Sequence, residues 1–163
     1  MLAIRFPVNE IREGDNYFSF EIEGSNLDYN LGDLEFTDPI EVSIYAKRHG
    51  LEIRFIIEID LKLSLVCSRC LKRFNEVQSS EIELIVKLTR GGPHFTDFEN
   101  EDFAMVESDS GLIDLNERIR TEIILDLPRK PLCSEDCQGL ISEDNAEKVD
   151  PRWNKLKNIS LDD

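Results

Sequence analysis

What this sequence lacks narrows its possible roles before any motif is read. No apolar run is long enough to cross a bilayer: the longest candidate, Leu51 to Val66, is broken by Glu52, Arg54, Glu58, Asp60 and Lys62. No export signal is expected either, because residues 1–6 pass straight into Pro7, Asn9, Glu10 and Arg12. Basic residues are scarce, 19 Lys and Arg against 34 Asp and Glu, for a formal charge of −15. Such a chain is repelled by nucleic acid on average and gains from counterion release only through a local basic patch. Histidines number two, and neither His49 nor His94 has a neighbouring spacing that completes a catalytic metal set, so both read as surface turn residues. No nucleophile, base and oxyanion donor stand in a recognisable arrangement, so an enzyme is not expected. The expected compartment is the cytoplasm or an equivalent reducing compartment. There, disulfides are disfavoured and paired cysteines serve metals or redox chemistry.

What is present suits one soluble domain: 163 residues, 40% hydrophobic and 33% charged. Leu2, Ile4 and Phe6 alternate with other residues and predict a strand that stops at Pro7; Phe18, Phe20 and Ile22 predict a second, closed by Gly24. Ile40, Val42, Ile44 and Ala46, a turn at 48–50, and then Ile53 through Leu65 on one face predict a long hairpin, apolar inside and charged outside. Ile82, Leu84, Val86 and Leu88 predict a further strand ending at Gly91-Gly92-Pro93, and Phe103 to Val106 a short one. Asp114 and Glu117 have the spacing of a capping box, and Leu115, Ile119, Ile123 and Leu127 follow at intervals of four. They predict an amphipathic helix over 114–126, stopped by Pro128. The expected class is α+β: a β-rich, twisted antiparallel sheet of about five to seven strands with long hairpins, one packed C-terminal amphipathic helix and an irregular tail. The chain divides into residues 1–128, the β-rich domain with its helix, and residues 129–163, a cysteine-containing tail docked on it and held by Cys133, Cys137, Leu140 and Trp153. A short turn is expected at 151–156.

The chemistry concentrates in four cysteines that come as two close pairs. Cys67-Ser68-Arg69-Cys70 sits where one long strand ends and the next begins, and Cys133 and Cys137 follow the helix. Zinc takes four thiolates tetrahedrally, and a C-x2-C turn joined to a C-x3-C turn can supply them. If the pairs meet, the candidate metal ligands are Cys67, Cys70, Cys133 and Cys137, around one structural zinc ion that pins the tail. Two alternatives stand beside this: four unconnected reduced cysteines, and a redox dithiol in a small redox or metal-handling protein. Cations flank both pairs. Arg69, Lys72, Arg73, Arg129 and Lys130 either compensate thiolate charge or form a surface for phosphate or an acidic partner. Residues 96–109, with acids and no base, read as a solvated acidic loop or a contact for a basic protein.

Four blocks together resemble the YceD-type family, the large ribosomal RNA subunit accumulation proteins of bacteria and plastids. They are Cys67-Ser68-Arg69-Cys70-Leu71, Leu125-Asp126-Leu127-Pro128, the stretch from Pro131 to Leu140 with Cys133 and Cys137, and Asp150-Pro151-Arg152-Trp153-Asn154-Lys155-Leu156. The resemblance implies a non-catalytic factor in ribosome assembly that supports accumulation of large-subunit ribosomal RNA. Its expected partner is a ribosomal protein or precursor ribosomal RNA, with no membrane and no small-molecule substrate; the net charge favours the protein. Many members of that family carry a further C-x2-C-G after the Gly-Leu. Here residues 141–148 hold no cysteine, so only the four named above remain.

Overall fold

Alternating apolar residues in this chain give mostly strands, and their register decides where the cysteines meet. The computed structural model describes residues 4–27, 34–96, 98 and 102–140. Its strands are β1 (Arg5–Pro7), β2 (Gly14–Ile22), β3 (Glu35–Phe36), β4 (Ile40–His49), β5 (Glu52–Val66), β6 (Arg73–Thr89), β7 (Phe103–Glu107) and β8 (Leu112–Asp114), and its helix is α1 (Asn116–Asp126). The main sheet runs in the order β2-β4-β5-β6-β7, with β3 also pairing β5. Strand β3 pairs with residues 63–64 of β5 and β4 with residues 52–60, so the two lie end to end on one side of β5. A second, two-stranded sheet joins β1 to β8.

The expected α+β class with a single antiparallel sheet is corrected here. Strands dominate, there are two sheets, and β7 runs parallel to β6, pairing Ile85 with Phe103 through Thr89 with Glu107. A parallel neighbour needs a crossover rather than a tight turn, and the stretch between β6 and β7 provides it. The packed amphipathic helix is corrected too. Helix α1 starts at Asn116, after β8 has already used Asp114, and within it only Ile119 and Ile123 are buried while Leu125 is 66% exposed. The capping box does not form. Leu115 occupies the N-cap without a side-chain bond, Asp114 Oδ1 accepts from the Asn116 backbone N–H at 3.0 Å, and Glu117 pairs with Arg120 at 3.1 Å.

One face of the main sheet builds the core. Val42, Ile44, Phe55, Ile57, Ile59, Leu63, Leu84 and Val86 are all essentially inaccessible. Strand β1 closes this layer through Phe6, whose ring lies 4.5 Å from Phe18, 5.9 Å from Phe20 and 6.4 Å from Phe55 between centroids. Arg48 helps to hold the entry to β2, donating to the carbonyls of Val8 and Ile11. At the far end, β5 and β6 pair without interruption from Glu52 with Lys87 to Val66 with Arg73. This fifteen-residue ladder carries the turn at 67–72 to one extremity of the sheet.

Candidate metal centre

The turn between β5 and β6 is shaped by its backbone bonds. The Cys67 N–H donates to the Lys72 carbonyl at 2.9 Å, continuing the ladder one step, and the Leu71 N–H donates back to the Cys67 carbonyl at 2.9 Å. Closing so tight a loop puts Leu71 at φ 59°, a left-handed conformation that costs a branched residue about 1–2 kcal/mol. Its side chain is left 64% exposed. The second pair approaches from the other side after Leu127 ends α1 in extended backbone. The Ser68 N–H donates to the Pro131 carbonyl at 2.8 Å, and the Cys137 N–H donates to the Ser134 carbonyl at 3.2 Å, bending residues 133–137 into a turn.

These two bends bring all four sulfurs together. Cys67 Sγ faces Cys137 Sγ at 3.8 Å, Cys70 Sγ faces Cys133 Sγ at 3.7 Å, and the four atoms lie within 4.8 Å of one another. All four cysteines are free, and these separations are far beyond a disulfide bond of about 2 Å. The two facing pairs match edges of a tetrahedron: four ligands at about 2.3 Å from a zinc ion stand about 3.8 Å apart along each edge. The donor set is all thiolate, which suits zinc, and four protein ligands leave no open position for a substrate.

The electrostatics fit a cation as well. Cys67 is buried, yet its thiol is drawn down to about 6, first by the Cys133 backbone N–H and then by that of Cys70, with Arg69 adding a third donor against the opposing effect of burial. Cys133 is pushed up to about 12, first by its bond to the Cys137 sulfur and then by Cys70. One thiolate is therefore favoured while a neighbouring sulfur holds its proton, and a divalent cation removes that conflict. Both shifts belong to the closed arrangement: with the second bend away, Cys67 loses the Cys133 N–H that draws it down, and Cys133 keeps only the Cys137 sulfur of its own bend.

The candidate binding cations are placed unequally. The Arg69 guanidinium turns inward, donating to the Glu135 carbonyl at 2.9 Å and the Cys137 carbonyl at 3.2 Å, so it ties the two bends together. Arg73 bonds Ser64 Oγ at 3.3 Å and Glu35 at 3.2 Å. Lys72, Arg129 and Lys130 are exposed. Leu140, expected to hold the tail, is 67% exposed, and Trp153 and the turn at 151–156 lie outside the described residues. His49 and His94 are exposed, as read from the sequence, but His49 closes strand β4 rather than lying in a turn. Sequence reasoning passed over Ser68, whose N–H holds Pro131, and the left-handed Leu71. The signal for Leu71 was its place directly after the second cysteine, where a closing knuckle turn demands positive φ. Among the described residues no helix is long and apolar enough to cross a membrane.

Comparison with known proteins places this geometry in context. The family model described as large ribosomal RNA subunit accumulation protein YceD matches residues 56–160, a span that contains both cysteine pairs. The chain is 25% identical over 161 residues to the uncharacterized protein YlbN of Bacillus subtilis (strain 168), covering 90% of this chain and 88% of that one. No solved structure matches.

Proposed function

From the premise that the chain belongs to the large ribosomal RNA subunit accumulation protein YceD family, we propose that it is a non-catalytic factor of large-subunit assembly, acting by binding a ribosomal protein or precursor ribosomal RNA. The observation that carries this is the family match over 56–160, which spans most of the strand ladder, the helix and all four cysteines. Cys67, Cys70, Cys133 and Cys137 are the residues that would hold one zinc ion. Its role is structural, a cross-link between the tip of the β5–β6 ladder and residues 129–140, and a closed four-thiolate site offers no position for chemistry on a substrate.

Of the two partner classes, a basic ribosomal protein fits better. A charge of −15 opposes RNA, and Arg69 and Arg73 are already engaged within the chain. Lys72, Arg129 and Lys130 are exposed and take no ion pair with a described residue, and they are the cations from which any phosphate contact would start. A bacterium deleted for its own member of the family provides the test. Expression of this chain is expected to restore the ratio of large- to small-subunit ribosomal RNA; a folded, expressed chain that leaves the ratio depressed overturns the reading.

A further inference from the structure

The main sheet has two faces, and only one is covered by described residues. The open one is a surface of defined chemistry, because strand register lays it out in rows. Tyr17, Tyr45 and Ile56 stand side by side across β2, β4 and β5. Two residues further along each strand, Ser19, Ser43, Glu58 and Glu81 form the next row. Beyond it Glu21, Glu41 and Asp60 face one another directly.

Like charges placed opposite each other in a sheet are destabilising. Here Glu21 opposes Glu41, Glu41 opposes Asp60 and Glu58 opposes Glu81. None of these five carboxylates takes an ion pair with a described residue. The opposite end of the same face is organised differently: Asp15 opposes Lys47, Glu52 opposes Lys87, and Arg54 pairs with Glu83 at 2.6 Å. Mixed charge at one end gives way to acids without an ion pair across the middle of the face, and Lys62, the next residue of β5 on it, is paired with Asp38; the fold itself does not require this gradient.

The aromatic row completes the picture. Tyr17 is 76% exposed, its ring 5.0 Å from that of Tyr45, whose hydroxyl donates to Asp15 at 2.6 Å and so fixes the pair. Exposed tyrosine faces accept guanidinium and ammonium groups by cation–π contact, and only the small side chains of Ser19 and Ser43 stand between the tyrosines and Glu21 and Glu41 on β2 and β4. We propose that the open face of the main sheet is a docking surface for a Lys- and Arg-rich protein segment, with the acidic rows neutralising its charges and Tyr17 and Tyr45 stacking its side chains. Charge complementarity selects this occupant: an RNA backbone is repelled by the same rows, and a second copy of this acidic face repels the first. The identity of the segment as part of a ribosomal component rests on the assembly reading above; the surface does not.

The test uses the full-length, metal-loaded chain and three probes: a synthetic peptide rich in Lys and Arg, its counterpart with Gln at those positions, and a single-stranded RNA oligonucleotide. Fluorescence anisotropy is expected to show binding of the basic peptide alone, weakening with added salt. The double variant Glu41→Gln, Asp60→Gln is expected to lose at least about tenfold in affinity while its melting temperature holds or rises, because neutralisation removes like-charge repulsion. Neutralising Glu10 and Asp109, two exposed acids off this face, is expected to change affinity by less than about twofold. Tyr17→Ala, at an exposed position that cannot unfold the sheet, is expected to weaken binding with little change in salt dependence. Equal loss from the Glu10 and Asp109 pair, preference for RNA, or no binding overturns the docking surface and leaves the assembly reading in place. Intact peptide binding by a chain that fails to restore ribosomal RNA overturns the assembly reading alone.

Discussion

Cys67→Ser is expected to weaken zinc binding by about two orders of magnitude and to open residues 129–140. A serine hydroxyl is a poor zinc ligand at neutral pH, and the N–H groups of Cys133, Cys70 and Arg69 lose the thiolate toward which they converge. Structural zinc sites contribute about 10–16 kcal/mol over four ligands, so one ligand is worth about 3 kcal/mol and affinity should fall by about two orders of magnitude. Beyond the clamp, residues 129–140 are held by the Ser68-to-Pro131 bond and the two bonds from Arg69. With the cross-link gone, these few exposed bonds open, and proteases should cut in that segment. The main core is a separate cluster that does not include Cys67, so far-ultraviolet circular dichroism should change little. Cys133→Ser, from the other side of the site, should reproduce the pattern, as should a strong chelator acting on the unaltered chain. A Cys67→Ser protein that binds zinc as tightly as the unaltered chain and keeps its digestion pattern contradicts the cross-link.

Phe55→Ala is expected to be the most damaging single change in the core. Phe55 is fully buried in the central strand, and its ring stacks toward Phe6, the residue through which the small β1–β8 sheet closes on the large one. Truncation of a buried Phe to Ala costs about 3–5 kcal/mol in lost transfer energy and residual cavity. Against a total stability of about 5–15 kcal/mol for a domain, that is enough to leave the chain partly unfolded at growth temperature. Both sheets should loosen together, seen as a large drop in urea midpoint. Tyr17→Ala, a similar truncation on the open face, is expected to move that midpoint hardly at all, and equal losses at the two positions would contradict the one-sided core.

The parts of the fold legible in the sequence are those governed by period two. Ile40 to Leu65 alternates so regularly that the β4–β5 hairpin and its buried face follow directly. The first half of β6 was hidden because its covered positions are Phe74, Glu76, Gln78 and Ser80, mostly polar residues on the inward side. Polar atoms there remain unmatched, with Gln78 Oε1 and Ser80 Oγ buried and without a hydrogen-bond partner among the described residues. Nothing local announces the β1–β8 sheet, since Arg5 finds Asp114 more than a hundred residues away, nor the parallel pairing of β7. The helix was over-read. Leu115, Ile119, Ile123 and Leu127 do keep their spacing of four, but Leu115 and Leu127 lie outside α1, and strand β8 takes Asp114 away from the cap.

The candidate site was legible as two pairs of cysteines, because spacing within each pair is local. That the pairs would meet depended on the length of the β5–β6 ladder and on where α1 ends, which tertiary structure decides. The cations were less legible. Their clustering by sequence suggested one outward patch, whereas Arg69 spends its guanidinium on the carbonyls of Glu135 and Cys137, a role set by the approach of the second bend. The acidic rows were visible only as excess charge, since cross-strand opposition requires the register.

Native mass spectrometry of the chain purified under reducing conditions without added metal tests the central claim most directly. One zinc ion per chain, with all four thiols protected from alkylation until a chelator is added, is the predicted result. A metal-free chain whose cysteines alkylate at once, and which takes up no zinc when it is supplied, would contradict it.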